Sequence, residues 1–236
     1  MTELTTEPVT LPLTRPKVPT ATDLAFQSLF DAIVALRLPP GAKVSETDIA
    51  KQLDMSRQPV RDAFFRLSKL GFLSIRPQRA TLITKISTTA VLDAVFIRTA
   101  VEVECLRATA AAIDADGIAR LRRIIDDQRD CIHDADPARF HQLDDRFHAA
   151  LCDMAGQAGA WELIQEQKAH MDRVRFLSLS TDRRQRVLKE HQRIVDALEA
   201  GDPRQADVEM RTHLGDIMHV LPRLREANEA YFEDEH

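Results

Sequence analysis

Apolar positions recur at helical spacing in most of this chain, and the exception is a short stretch near residue 80. From Thr22 to about Arg37, Leu24, Leu29, Ile33 and Leu36 form one stripe, which Pro39-Pro40-Gly41 ends. Ser45 with Asp48 then reads as the capped start of a short helix whose apolar face is Ile49, Ala50 and Leu53. After a tight break at Asp54-Met55, Ser56 caps a second helix, in which Val60, Ala63, Phe64 and Leu67 point inward. Arg57 and Arg61 lie four residues apart on the opposite, exposed side. Phe65 falls off the inward stripe too, so it is expected at least partly exposed, free to meet the rest of the chain or a partner. Phe72–Ile75 and Thr81–Lys85 alternate like strands around Arg76–Ala80, a β-hairpin with Arg79 at its tip. Two short helices, a tight turn and a following hairpin make a winged helix-turn-helix.

Beyond residue 88 the strand signal disappears. Helical stretches are predicted at 88–112, 115–133, 137–155, 158–179, 182–200 and 203–232, separated by Asp, Gly and Pro signals such as Asp136-Pro137 and Gly201-Asp202-Pro203. The fold class is therefore mainly α: an N-terminal winged helix-turn-helix plus a C-terminal six-helix all-α bundle. Residues 21–86 form the first domain and 88–232 the second. Residues 1–20, with Pro8, Pro12, Pro16 and Pro19 among threonines, read as a disordered tail.

Charge divides the chain in the same place. Residues 1–86 hold 12 basic against 8 acidic side chains, a net of +4, whereas the remainder holds 20 against 29, a net of −9. The overall −5 hides a basic N-terminal part suited to nucleic acid. No apolar run is long enough for a membrane span and no signal core is present, so a soluble, cytoplasmic protein is expected. Cys105, Cys131 and Cys152 are widely spaced in apolar helical contexts, as buried free thiols would be.

The winged segment resembles the DNA-binding domain of the GntR family of bacterial transcription regulators. The resemblance is carried by Pro40-Gly41, Ser45-Glu46, Ile49-Ala50, Ser56-Arg57, Pro59-Val60-Arg61, Ala63-Phe64, Arg66-Leu67 and Gly71-Phe72 at the family's spacings. Ala80 stands where the family has a wing-tip glycine, and Thr47 where some relatives carry an arginine. The resemblance implies a regulator, by default a repressor, that binds a palindromic operator in double-stranded DNA as a homodimer and is not an enzyme. Arg57 and Arg61 would read base edges, with guanine the bidentate partner, and Gln58 suits adenine. Ser56, Thr47 and Lys51 are candidate phosphate contacts, and Arg79 a minor-groove contact.

In the C-terminal part, Asp144 and His148 are one helical turn apart, and His191 and His213 lie within the fifth and sixth predicted helices. Three imidazoles and a carboxylate from three helices can hold a divalent ion, although surface or core histidines satisfy the same spacing. His141, on the His148 face, and His170 and His219 are further histidines of the same region. FHAALCDMAG followed by EHQRIVDALEAGDPRQADVEMRTHL resembles the ligand-binding domain of FadR-like GntR regulators, in the shorter VanR-type branch. That resemblance implies Asp144, His148, His191 and His213 as metal ligands, with zinc the first expectation and nickel the second. Such an open cationic centre favours a small carboxylate effector. Arg98 is a second handle for it, or else the partner of Glu102 one turn on, and Arg175 is a further candidate for the pocket wall. The alternatives are a metal-independent regulator binding an acyl-CoA-type effector, and a metal-dependent hydrolase with Asp145 or Glu190 as base.

Overall fold

The computed structural model describes residues 18–75 and 80–234. The first helix, α1 (Ala21–Val34), starts one residue earlier than predicted because Thr20 caps it. The Thr20 hydroxyl accepts the Asp23 amide at 3.1 Å, and the Asp23 carboxylate accepts the Thr20 amide at 3.0 Å, a complete capping box. The buried face is Ala25, Leu29, Ile33 and Val34. Leu24, expected on that face, is exposed, and Leu36 lies past the helix end at a positive φ of 58°. Leu29 and Ile33 are buried as expected, while Ala25 and Val34 replace Leu24 and Leu36 at the ends of the stripe because the packing of α1 against the rest of the winged module chooses the inward face.

Next come α2 (Glu46–Gln52) and α3 (Arg57–Lys69). The Ser45 hydroxyl accepts the Asp48 amide at 3.4 Å, and the turn between the helices passes through Asp54 at φ 50°, a conformation aspartate tolerates better than bulky residues. Ser56 occupies the N-cap position of α3, but its side chain makes no capping hydrogen bond, so the hydroxyl stays available to solvent. Val60, Ala63, Phe64 and Leu67 are buried as expected. The hairpin strands are β2 (Leu73–Ser74) and β3 (Thr81–Ile83). A third strand, β1 (Lys43–Val44), pairs antiparallel with the other side of β3, giving the order β1-β3-β2. Two residues are too short to show alternation, so only the fold reveals β1. Arg79, the expected wing tip, and residues 1–17 of the expected tail lie outside the described residues.

The six expected helices follow: α4 (Thr88–Ala110), α5 (Ala115–Asp130), α6 (Ala138–Met154), α7 (Ala158–Ser178), α8 (Thr181–Glu199) and α9 (Pro203–Ala227). Ser87, Asp114, Ser180 and Asp202 cap four of them by accepting backbone amides. The last helix stops short of residue 232, and a 3₁₀ turn at Glu229–Tyr231 brings Phe232 beside Ile86. Ile86 donates to the Tyr231 carbonyl at 2.8 Å and accepts from the Glu233 amide at 3.0 Å, so the chain's end is stitched to the linker. The bundle buries a continuous core including Phe140, Phe147, Ile194, Val195 and Met210, and each large side chain contributes roughly 1.5–3 kcal/mol. The winged module has its own core, to which Ala169 and Phe176 of α7 are added. No helix among the described residues is long and apolar enough to cross a membrane.

Candidate functional site

On the winged module, α3 presents Arg57 and Arg61 to solvent, each side chain about two-thirds exposed. Glu46 Oε2 lies 3.6 Å from Arg57 and 3.8 Å from Arg61, loose surface pairings that cost little to exchange for phosphate or base edges. Gln58 donates to Asp62 at 2.9 Å, and Ser56, Thr47 and Lys51 are exposed around the same end of the helix pair. Phe65 is exposed on the turn after Arg61, met by the Lys69 ammonium 5.0 Å from its ring centre. It packs on neither the winged core nor the bundle.

Inside the bundle, α6 supplies Asp144 and His148, α8 supplies His191 and α9 supplies His213, all of them buried. His213 Nε2 lies 3.1 Å from His148 Nε2 and 3.4 Å from His191 Nε2. The Asp144 carboxylate oxygens lie 3.8 Å from His148 Nε2 and 3.7 Å from His191 Nε2. A tetrahedral ion with bonds of about 2.0–2.1 Å needs ligand atoms roughly 3.3 Å apart, which the imidazole nitrogens meet and the carboxylate oxygens approach.

The far side of each ring shows what orients it. His148 Nδ1 lies 2.6 Å from Glu102 Oε2, His191 Nδ1 2.9 Å from Gln128 Oε1, and His213 Nδ1 2.8 Å from Glu190 Oε2. Hydrogen-bond acceptors at Nδ1 of His191 and His213 favour ring protons there. The Glu102 carboxylate, close to His148 Nδ1 but outside hydrogen-bond geometry, favours the same tautomer electrostatically. Lone pairs are thereby left at the three converging Nε2 atoms. Lone pairs at 3.1–3.4 Å repel unless a positive ion lies between them. Burial lowers the pKa of His191 well below its ordinary value, and lowers that of His213 despite the opposing pull of Glu190. Asp144 Oδ1 has no hydrogen-bond partner. Burial would raise this carboxyl, but the Arg175 guanidinium holds it well below the usual carboxylate range. The donor set therefore fits a divalent ion.

Of the two readings of Arg98, the structure shows the pairing with Glu102. Its Nε donates to Glu102 Oε1 at 2.6 Å, while Nη2 has no hydrogen-bond partner. Arg98 also helps line a cavity of about 30 Å³ beside His213, together with Arg175, Leu214 and Ile217. Burial would raise the Glu102 carboxyl, yet Arg98 and His148 bring it down to about 2, so it stays ionised and acceptor-only. Arg183, which the sequence did not single out, lines the same cavity, bonded to Glu190 at 3.2 Å and facing Asp216 at 2.9 Å. Gln128 was missed as well, since no motif marks a glutamine that braces a ring on a distant helix. Glu190, weighed as a base, is instead the brace of His213.

The other histidines stand apart. His219 is exposed, and His170 faces the winged module. His141 packs on the Phe176 ring and lies 3.3 Å from Asp172. With Asp145 these residues form a second donor cluster, but the Lys168 ammonium pairs with both carboxylates and fills the cation's role there. Cys105, Cys131 and Cys152 are buried and unpaired, and burial raises all three thiols out of the reactive range.

A winged module with exposed arginines, joined to a helical bundle with a buried polar centre, is the architecture of a transcription regulator. Residues 22–83 match the model of bacterial regulatory proteins of the gntR family, and residues 93–216 match the FCD domain. The chain belongs to the gntR family, in its FadR-like, FCD-containing subfamily. It is 34% identical over 204 residues to the HTH-type transcriptional repressor RspR of Escherichia coli K12, covering 86% of this chain and 90% of the relative. Its fold is similar to that of E. coli McbR/YncC, with a TM-score of 0.73 at 18% identity over 86% of this chain and 98% of the other. It is likewise similar to a GntR regulator from Rhodococcus, with a TM-score of 0.72 at 24% identity over 85% and 97%. The protein is a DNA-binding transcriptional regulator, not an enzyme.

Proposed function

We propose that this regulator is a cytoplasmic repressor that binds a palindromic operator as a homodimer. A small carboxylate metabolite releases it by binding beside a divalent ion held by Asp144, His148, His191 and His213. The observation that carries this reading is the convergence of three buried imidazoles on Asp144, with His191 and His213 hydrogen-bonded through Nδ1 and Glu102 beside His148 Nδ1. Zinc is the first candidate and nickel the second, since imidazole suits both. When bound, the ion supplies an electropositive centre at which a carboxylate oxygen replaces water.

The chain's own residues do the rest. Glu102, Gln128 and Glu190 fix the ring orientations, and Arg98 offers its unpartnered Nη2 to the second carboxylate oxygen. Leu214 and Ile217 line the cavity beside His213 and favour a compact apolar body. On DNA, Arg57 and Arg61 take guanine edges and Gln58 an adenine, while Ser56, Thr47 and Lys51 hold phosphates and Arg79 enters the minor groove. One module, residues 21–86, reads few base pairs, so the bundle, residues 88–232, joins two copies across a two-fold site. The repressor name of the E. coli relative supports the sign of regulation.

The test is metal analysis of protein purified without a histidine tag, then titration of short organic acids into chelator-treated and metal-restored protein. Melting temperature and release of DNA selected from genomic fragments are followed together. One ion per chain and a response confined to metal-restored protein are expected. Full response in metal-free protein overturns the reading.

A further inference from the structure

One helix of the bundle touches both candidate sites. Between Lys168 and Phe176, α7 carries two stripes at helical spacing. Ala169, His170, Arg173 and Phe176 form one, and Lys168, Met171, Asp172 and Arg175 form the other. The first stripe seats the winged module. The His170 ring stacks on Phe72, with centroids 4.4 Å apart and planes at 13°, and its Nε2 lies 3.3 Å from the Leu70 carbonyl. Gly71 sits between at φ 80°, where an added Cβ would come within 3.4 Å of that imidazole. Arg173 is fully buried, an expensive position for a guanidinium. It donates to the Thr84 carbonyl at 2.6 Å, next to the linker.

The second stripe faces the polar centre. Met171 and Arg175 line the cavity beside His213. Arg175 Nη2 pairs with Asp144 Oδ2, while Nη1 has no hydrogen-bond partner and lies 3.8 Å from Asp172 and 4.0 Å from Asp145. Asp144 thus shares its carboxylate: Oδ2 pairs with Arg175 and lies 3.8 Å from His148 Nε2, while Oδ1 lies 3.7 Å from His191 Nε2.

We propose that α7 couples the metal-and-effector centre to the winged module, with Arg175 as the positioning residue of the coupling. This rests on the reading of Asp144 as a metal ligand. Positive charge at Oδ1 weakens the pull of Asp144 on Arg175, and the guanidinium then turns toward Asp172 and Asp145, which already face its free Nη1. His170 and Arg173 occupy the same turn as Asp172, and a close-packed helix does not move one face without the other. The seat of the winged module therefore responds to what binds at Asp144. Linkage requires the reverse as well: loosening the seat changes affinity at the centre by the same factor.

The test uses the full chain and zinc alone as the probe. Zinc affinity is measured against a chelating dye, and hydrogen exchange is followed in peptides spanning Leu70–Ile75 and Thr84–Thr88. In the wild-type protein, loading one zinc per chain should change exchange in both peptides by about fivefold or more. Arg175→Lys should still bind zinc but lose most of that response. The double variant His170→Ala, Arg173→Met, altered only at the seat, should shift zinc affinity by a similar factor. It decides the question alone if Arg175→Lys does not fold. Wild-type protein that binds zinc with unchanged exchange, or a folded seat variant with wild-type zinc affinity, overturns the coupling while leaving the metal site standing. Wild-type protein that takes up no zinc overturns both.

Discussion

Arg57 and Arg61 share one short helix and keep about two-thirds of each side chain in solvent, whereas His148, His191 and His213 come from three helices and are buried. The arginines need only the backbone of α3 to stay parallel, because four residues of helix put them on one face. The imidazoles need the packing of α6, α8 and α9, plus three braces from α4, α5 and α8. A surface reader can thus be altered without disturbing the fold, while a buried centre is fold and site together. Each half should fail in its own way.

The largest effect is expected from His191→Ala. This ring is fully buried and stacked 4.0 Å from Phe147, so its loss removes a ligand and leaves a cavity. Stoichiometric metal uptake should vanish and stability fall by about 2–4 kcal/mol, read by metal analysis and urea melts. Unchanged uptake would remove His191 from the centre. Next is the pair Arg57→Ala and Arg61→Ala, each expected to weaken specific DNA binding by about 1–3 kcal/mol. Neither should change metal content or melting temperature, and a drop in either quantity would break the contrast between the two halves.

Gln128→Leu sharpens the comparison from the other side. It leaves all four proposed ligands in place but removes the acceptor at His191 Nδ1, and metal affinity should fall by about 10- to 100-fold. An unaffected affinity would mean that packing alone orients the ring. The smallest effect concerns pH at the junction. Burial, with help from Arg173, holds the His170 imidazole below its ordinary 6.5, against the opposing Leu70 carbonyl and Glu233. The seated form prefers the neutral ring, so this contribution is fully present above pH 6.5 and is lost as pH falls through the depressed value. Protease cleavage near the linker should accelerate between pH 7 and 5.5 in the wild-type protein more than in His170→Phe. Identical profiles would show that His170 plays no part in the pH response.

The winged module was largely legible from residue order because its determinants are local. The Ser45 cap, the turn at Asp54, the inward stripe of α3 and the exposed positions of Arg57, Arg61 and Phe65 follow from spacings of a few residues, whereas Ser56 takes the N-cap position without the capping bond. The six bundle helices were legible for the same reason, as was the candidacy of Asp144, His148, His191 and His213. What order could not show was rotation and contact between elements. Packing turned α1 so that Ala25, not Leu24, faces inward, and gave β3 a second partner in β1. It also set Gln128 against His191, separated His141 from the other imidazoles, and placed Arg175 between Asp144 and Asp172. Periodicity fixes which residues share a face, but the neighbour each face meets depends on the packing of distant segments. The helices and their candidate chemistry were determined by the sequence alone, whereas the braces, the cavity and the junction on α7 were decided by tertiary structure.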